Sequence, residues 1–262
     1  MARVHAVMNQ KGGVGKTTVV VQTAATVADT MGGTPDNTPV LGISVDRQAS
    51  MYEWAKRAGD NLPFDFLQLH DNPYELAKLK RLRKYAHIFV DTPGALDEPG
   101  SEAKLTILKA VLEMADDVTV PVEPEPMAFT PASRTIEQVI KPSGKPFKIL
   151  VNNWEPRDGD YDLNQTLEYI QRKGYPRYNT VIRHYKLHTR APGGGLTVVS
   201  YAKNKVAMEA RTDFFRFAVE LLALSGSEPK HALTDPGGNG VTTRQPGSAG
   251  DAVDSAVREM GA

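Results

Sequence analysis

The sequence predicts an α/β fold in which a mostly parallel sheet carries helices on both faces. Three observations lead there. Short apolar runs alternate with helix-length segments, and strands that alternate with helices return parallel over a sheet face. The first run ends at a glycine-rich loop that opens onto a helix-period segment, the context a phosphate-binding loop requires. Aspartates end two later runs, where neighbouring parallel strands would aim them into one crevice.

The first strand is VHAVMN (residues 4–9). Residues 16–31 then carry Val19, Val20, Ala24, Val27, Ala28 and Met31 at helical spacing. Further strands are expected over PVLGISV (39–45), FDFLQL (64–69), AHIFVD (86–91), DVTVPV (117–122) and FKILVN (147–152). Helices are expected over residues 74–85, 101–115 and 204–224, the last long and amphipathic. In the first of these, Leu79 and Leu82 anchor the helix and its lysines and arginines form a wet face. Beyond Leu224 the chain is rich in Gly, Pro, Ser and Thr, a composition that cannot bury enough apolar surface to order itself. The expected organisation is one domain over residues 1–225 and a disordered tail over 226–262, with a short helix over 251–260.

Across 262 residues, 40% are hydrophobic and 24% charged, with 31 basic side chains balancing 31 acidic ones. A neutral chain gives no global sign of nucleic-acid binding, so such a surface must come from local segregation. There is no cysteine, which excludes thiolate-held zinc and iron–sulfur clusters and fits a reducing compartment. No signal peptide or membrane span fits, so a cytoplasmic protein is expected.

The loop reads NQKGGVGKTT, residues 9–18. The strict pattern G-x-x-x-x-G-K-[ST] fails at its first position, where Gln10 stands, and holds at Gly15, Lys16 and Thr17. Glycines let backbone N–H groups turn inward as a nest for phosphate oxygens, and the following helix adds its positive end. Lys16 is expected to reach the β and γ phosphates and Thr17 to bind Mg²⁺, with Gly12, Gly13, Val14, Gly15 and Thr18 completing the cradle. Asp91, ending its strand, sits where an aspartate can hold Mg²⁺ directly or through water. Asp46 ends the neighbouring run; alone it could be a turn residue, but loop and Asp91 together favour a functional role.

These motifs resemble the ParA/MinD family of deviant Walker A ATPases, a branch of the P-loop NTPase fold. KGGVGKTT resembles its phosphate loop, SVDRQAS its switch segment, FVDTPGAL its Walker B segment and VPVEPEPMAF its proline-rich stretch, in order over residues 3–224. The leading NQ is more similar to the DNA-partition branch. The resemblance implies that ATP is held between two protomers, with Lys11 reaching the partner's phosphates as a charge in trans. It implies that Asp46 positions the attacking water and that Asn152 contacts adenine. Ser44 and Arg47 depart from the switch pattern, which bears on hydrolysis more than on ATP binding.

Charge is divided along the chain. Nine basic residues stand between Arg172 and Arg211 against Glu209 alone, a net +8, while residues 91–140 carry a net −7. Phosphate-backbone contacts give sequence-independent, salt-sensitive DNA binding. Arg183, Lys186, Arg190, Lys203, Lys205 and Arg211 are the expected DNA contacts. Only eight residues precede Asn9, which leaves no room for an operator-binding domain before the loop. The leading expectation is therefore a nucleoid-associated partition ATPase. It would dimerise with ATP, bind DNA non-specifically and move a plasmid, phage or chromosome through a centromere-binding ParB-like adaptor. The alternative is a related cargo-positioning ATPase acting at a membrane or on a protein microcompartment. No membrane is expected, because residues 251–260 carry Asp251, Asp254 and Glu259 against Arg258.

Overall fold

Strands buried on both faces read as continuous apolar runs. β2 (Val40–Ser44) and β5 (Asp117–Val122) are of this kind, buried at every position. With β1 (Arg3–Val7), β3 (Asp65–Gln68), β4 (His87–Asp91), β6 (Phe147–Trp154) and β7 (Arg177–Arg183) they form one seven-stranded sheet. Its order is β3-β2-β4-β1-β5-β6-β7, and every neighbouring pair is parallel. The computed structural model describes residues 1–34, 37–46, 48–69, 83–94 and 101–223, with Glu75, Lys78 and Arg81. The helix expected over 74–85 and the tail expected over 226–262 thus lie largely or wholly outside the described residues, as does Arg47.

One face of the sheet carries α1 (Lys16–Thr30), α2 (Ser50–Ala58), α6 (Lys186–Gly194) and α7 (Lys205–Ala223). Val20, Val27, Trp54, Phe214 and Phe217 fill the core on that side. The other face carries α3 (Ser101–Met114), α4 (Pro126–Thr135) and α5 (Tyr161–Arg172), with Leu108, Val111, Ile136 and Ile170 inside. The expected parallel sheet covered on both faces is what the chain forms, and it is parallel throughout.

The six expected strands form within two residues of their expected bounds. β7 escaped the sequence reading because its arginines counted as charge. Its alternation is that of a half-covered edge, with Tyr178, Thr180 and Ile182 buried. Glu220 of α7 accepts the N–H groups of Asn179 and Thr180, both at 2.7 Å, so the carboxylate shields part of an exposed edge.

Candidate nucleotide site

The order of the strands puts β1 between β4 and β5, so the loop after β1 opens at the carboxyl ends of the central strands. That loop is pinned from both sides. Asn9 Nδ2 donates to Pro121 O at 2.8 Å, and Asn9 Oδ1 accepts from Lys11 N at 2.9 Å. Gln10, the departure from the strict pattern, is buried, and its N–H donates to Thr135 Oγ1 at 2.9 Å. Gly13 and Gly15 sit at φ +81° and +80°, the left-handed region that glycine adopts without strain. Gly15 has a second reason to be glycine, because a Cβ there would stand 2.5 Å from Asn152 Nδ2. Asn152 itself donates to Val14 O at 2.9 Å, so here it braces the loop.

Lys16 is 8% exposed, and its Nζ donates to Lys11 O at 3.1 Å. Burial lowers its pKa, opposed by the nearby charges of Asp91 and Asp46. Thr17 Oγ1 donates to Asp91 Oδ2 at 2.8 Å. The other oxygen, Asp91 Oδ1, is buried with no hydrogen-bond partner. Burial pushes the Asp91 carboxyl up to about 7, with Thr17 and Lys16 pulling the other way.

Asp46 faces the same cavity of about 520 Å³, which Gly12, Gly13, Gly15, Lys16, Thr17 and Thr18 line from the loop. Its Oδ1 accepts Gln48 N at 3.0 Å and its carbonyl accepts Gln68 Nε2 at 2.9 Å. Ala49 follows at φ +57°, an uncommon conformation for a residue with a Cβ, and it begins α2. The switch turn is therefore held and locally strained.

This setting adds two placements that the sequence does not give. Lys11 does not extend from the loop: its Nζ pairs with Glu125 and, at 3.3 Å, with Glu123 of the same chain. Burial opposes the Lys11 charge, and the hydrogen bonds to Glu125 and Glu123 outweigh it, raising the pKa. Neither glutamate was assigned a role from sequence, although both flank the prolines after β5. The basic segment, distant in sequence, is not distant in space, since Pro192 of α6 lines the cavity together with Trp54 of α2. Among the expected DNA contacts, Arg183 donates from Nε and Nη2 to Asp213 at 2.9 and 2.8 Å, and Arg211 to Asp29 at 2.7 Å. Lys186, Arg190, Lys203 and Lys205 are exposed.

Solved structures share this fold. MinD of Pyrococcus horikoshii, complexed with Mg-ADP, superposes with a TM-score of 0.63 at 18% identity, covering 86% of this chain and 98% of that one. A plasmid partition protein of Borrelia burgdorferi bound to AMPPNP gives 0.60 at 17% identity, covering 84% and 100%. No family model matches the chain. Maintenance of carboxysome distribution protein A of Gloeobacter kilaueensis is 35% identical over 222 residues, 84% of this chain and 94% of that protein. The chain belongs to the ParA/MinD family of P-loop ATPases. The ParA/MinD resemblance carried by NQKGGVGKTT and FVDTPGAL thus extends to the whole sheet. The plasmid-partition expectation fares less well, because the Gloeobacter relative is a carboxysome-distribution protein. No described helix is long and apolar enough to cross a membrane.

The buried carboxyl generates a prediction for this ParA/MinD chain without nucleotide or metal. A carboxyl with a raised folded-state pKa stabilises the fold below its unfolded pKa and loses that contribution as pH rises through about 7. Asp91→Asn removes that cost. Chemical denaturation at pH 8 should find the variant more stable by on the order of 1–3 kcal/mol, with the margin shrinking towards pH 5. A variant that is less stable at pH 8 contradicts the burial account.

Proposed function

We propose that this protein is a ParA-like ATPase that positions a protein cargo, of the microcompartment class, by ATP-dependent dimerisation on DNA. The observation that carries the cargo class is the 35% identity to a carboxysome-distribution protein across 84% of the chain. Both cell-division and plasmid-partition ATPases share the fold, so fold alone does not choose between cargoes. The partner is accordingly an adaptor on the cargo rather than on a centromere.

The residues fit ATP and Mg²⁺. The orphaned Asp91 Oδ1 beside the Thr17 hydroxyl is a pair of hard oxygen donors, which suits a divalent cation. The glycine loop and the start of α1 supply inward N–H groups for phosphate oxygens. Bound there, Mg²⁺ would neutralise charge developing on the transferred phosphoryl group. Lys16 neutralises the same phosphates from within the protomer. Asp46, facing the cavity, holds and orients the attacking water; a loose transition state asks mainly for such positioning. Lys11 acts in trans once Glu123 and Glu125 release it, and their grip keeps the lone protomer from presenting it. The exposed Lys186, Arg190, Lys203 and Lys205 form the DNA-facing set. Arg183 and Arg211 support that face through their ion pairs.

Two measurements test this. Lys16→Ala should weaken ATP affinity by about 100-fold or more, the scale set by removing one partner of a buried ammonium–phosphate pair. Lys11→Ala should keep ATP affinity within about 3-fold yet remain monomeric by light scattering with ATP and Mg²⁺, where the wild type dimerises. A Lys11→Ala dimer would end the trans role. For the cargo, deletion of the gene in its host should collapse evenly spaced microcompartments into clusters while plasmids are inherited normally. Plasmid loss with normal microcompartment spacing would return the partition reading.

A further inference from the structure

A helix that carries exposed positive charge also forms a wall of the nucleotide cavity, and it is fastened there at both ends. Pro192 puts α6 against the cavity, while Lys186 and Arg190 of the same helix face solvent. At the carboxyl end, the Trp54 indole Nε1 donates to Leu196 O at 3.0 Å. The ring belongs to α2 and is 1% exposed. Beside it, Gly195 lies at φ +63°, and a Cβ there would stand 2.4 Å from Ala58 N and from Arg57 C. The turn that ends α6 is therefore seated backbone to backbone on the last turn of α2. At the other end, His188 Nδ1 lies 3.2 Å from the Tyr201 hydroxyl, which accepts Gln22 Nε2 of α1 at 2.9 Å. Gln22 is fully buried, and its Oε1 also takes the N–H of Val198, in the segment that leaves α6, at 2.7 Å. Burial holds His188 down to about 4, with His184 adding to the effect, so this link is uncharged at neutral pH.

The amino end of α2 is the switch turn. Asp46, Gln48 and the strained Ala49 lead straight into it, and Asp46 and Trp54 line the same cavity. A short helix buried at Met51, Trp54 and Ala58 moves as one body, because packed side chains do not deform independently. We infer that Trp54 is a positioning residue that couples the switch carboxylate Asp46 to α6, so that the nucleotide state sets the placement of the Lys186 and Arg190 face. The inference deepens the proposed function and rests on its nucleotide site. α1 holds α6 near its amino end through Gln22, Tyr201 and His188 and also takes Val198 just beyond its carboxyl end, while α2 meets it at Leu196. The indole N–H is the specific link; ring packing alone would leave α6 able to slip. The coupling requires that this element have two discrete arrangements, the condition for transmitting a local change.

Hydrogen exchange on the full chain tests the coupling without requiring DNA. In the wild type, ATP with Mg²⁺ should slow amide exchange across residues 186–196 by about 10-fold, within the usual range for linked sites. In Trp54→Phe, which keeps an aromatic ring and removes the donor, the slowing measured at saturating ATP should fall below about 2-fold. Gly195→Ala, which opens the same seam from α6, should uncouple it likewise. A wild type whose α6 ignores nucleotide overturns the inference, and so does a Trp54→Phe chain that responds in full. Trp154→Phe leaves Trp54 as the sole indole. Its emission should shift on adding ATP and Mg²⁺, and a constant emission overturns the inference even if other variants fail to fold. Duplex DNA retention is measured in the same samples. An intact α6 response without DNA retention supports the coupling and removes DNA from the proposed function. Absence of ATP binding in the wild type overturns both.

Discussion

A carboxylate buried with only one of its oxygens partnered constrains everything around it. Asp91 is 1% exposed, Thr17 takes one oxygen, and the other has no hydrogen-bond partner among the described residues. Burying an ion in that state costs several kcal/mol, so the group sits partly protonated near neutrality or meets a cation. The proposed Mg²⁺ would be that cation. β4 lies next to β1, which places Asp91 directly across from the phosphate loop. A Cβ at Gly94 would stand 3.1 Å from Lys16 Nζ. Loop, helix start and acidic strand end are thus one polar unit at the carboxyl ends of the central strands.

The loop was legible in sequence because its chemistry demands local residues. Glycines at left-handed positions, a lysine and a hydroxyl must follow one another within a few residues, and no tertiary contact can substitute for them. Asp91 and Asp46 were legible for a related reason, as acids that end apolar runs. Lys11 was legible as a residue but not in its setting. Its partners Glu123 and Glu125 stand more than a hundred positions away and meet it only because β5 neighbours β1. Asn152 likewise braces Val14 through a contact that no spacing encodes.

The basic stretch is less positive in space than along the chain. Between Arg172 and Arg211 the sequence shows one acid, yet Asp29, Asp213 and Glu220 reach into that region from outside it. Arg183 is committed to Asp213 and Glu209, and it builds the β7–α7 packing rather than an open surface. β7 and α6 were missed together. Arginines on an edge strand masked its alternation, while Pro192 and the three glycines after it look like a loop although the first turns are helical. The contact that matters most in this region, indole to carbonyl between Trp54 and Leu196, joins segments about 140 residues apart.

The proposed site makes nucleotide binding depend on the metal, because a carboxylate stands beside the position expected for phosphates. Calorimetric titration of ATP into the wild-type chain at pH 8, with Mg²⁺ and with Mg²⁺ removed by a chelator, tests this most directly. Tight binding with Mg²⁺ and a loss of at least about 10-fold without it is the predicted result. Equal affinity in both conditions would contradict it, and would leave Asp91 as a structural carboxyl.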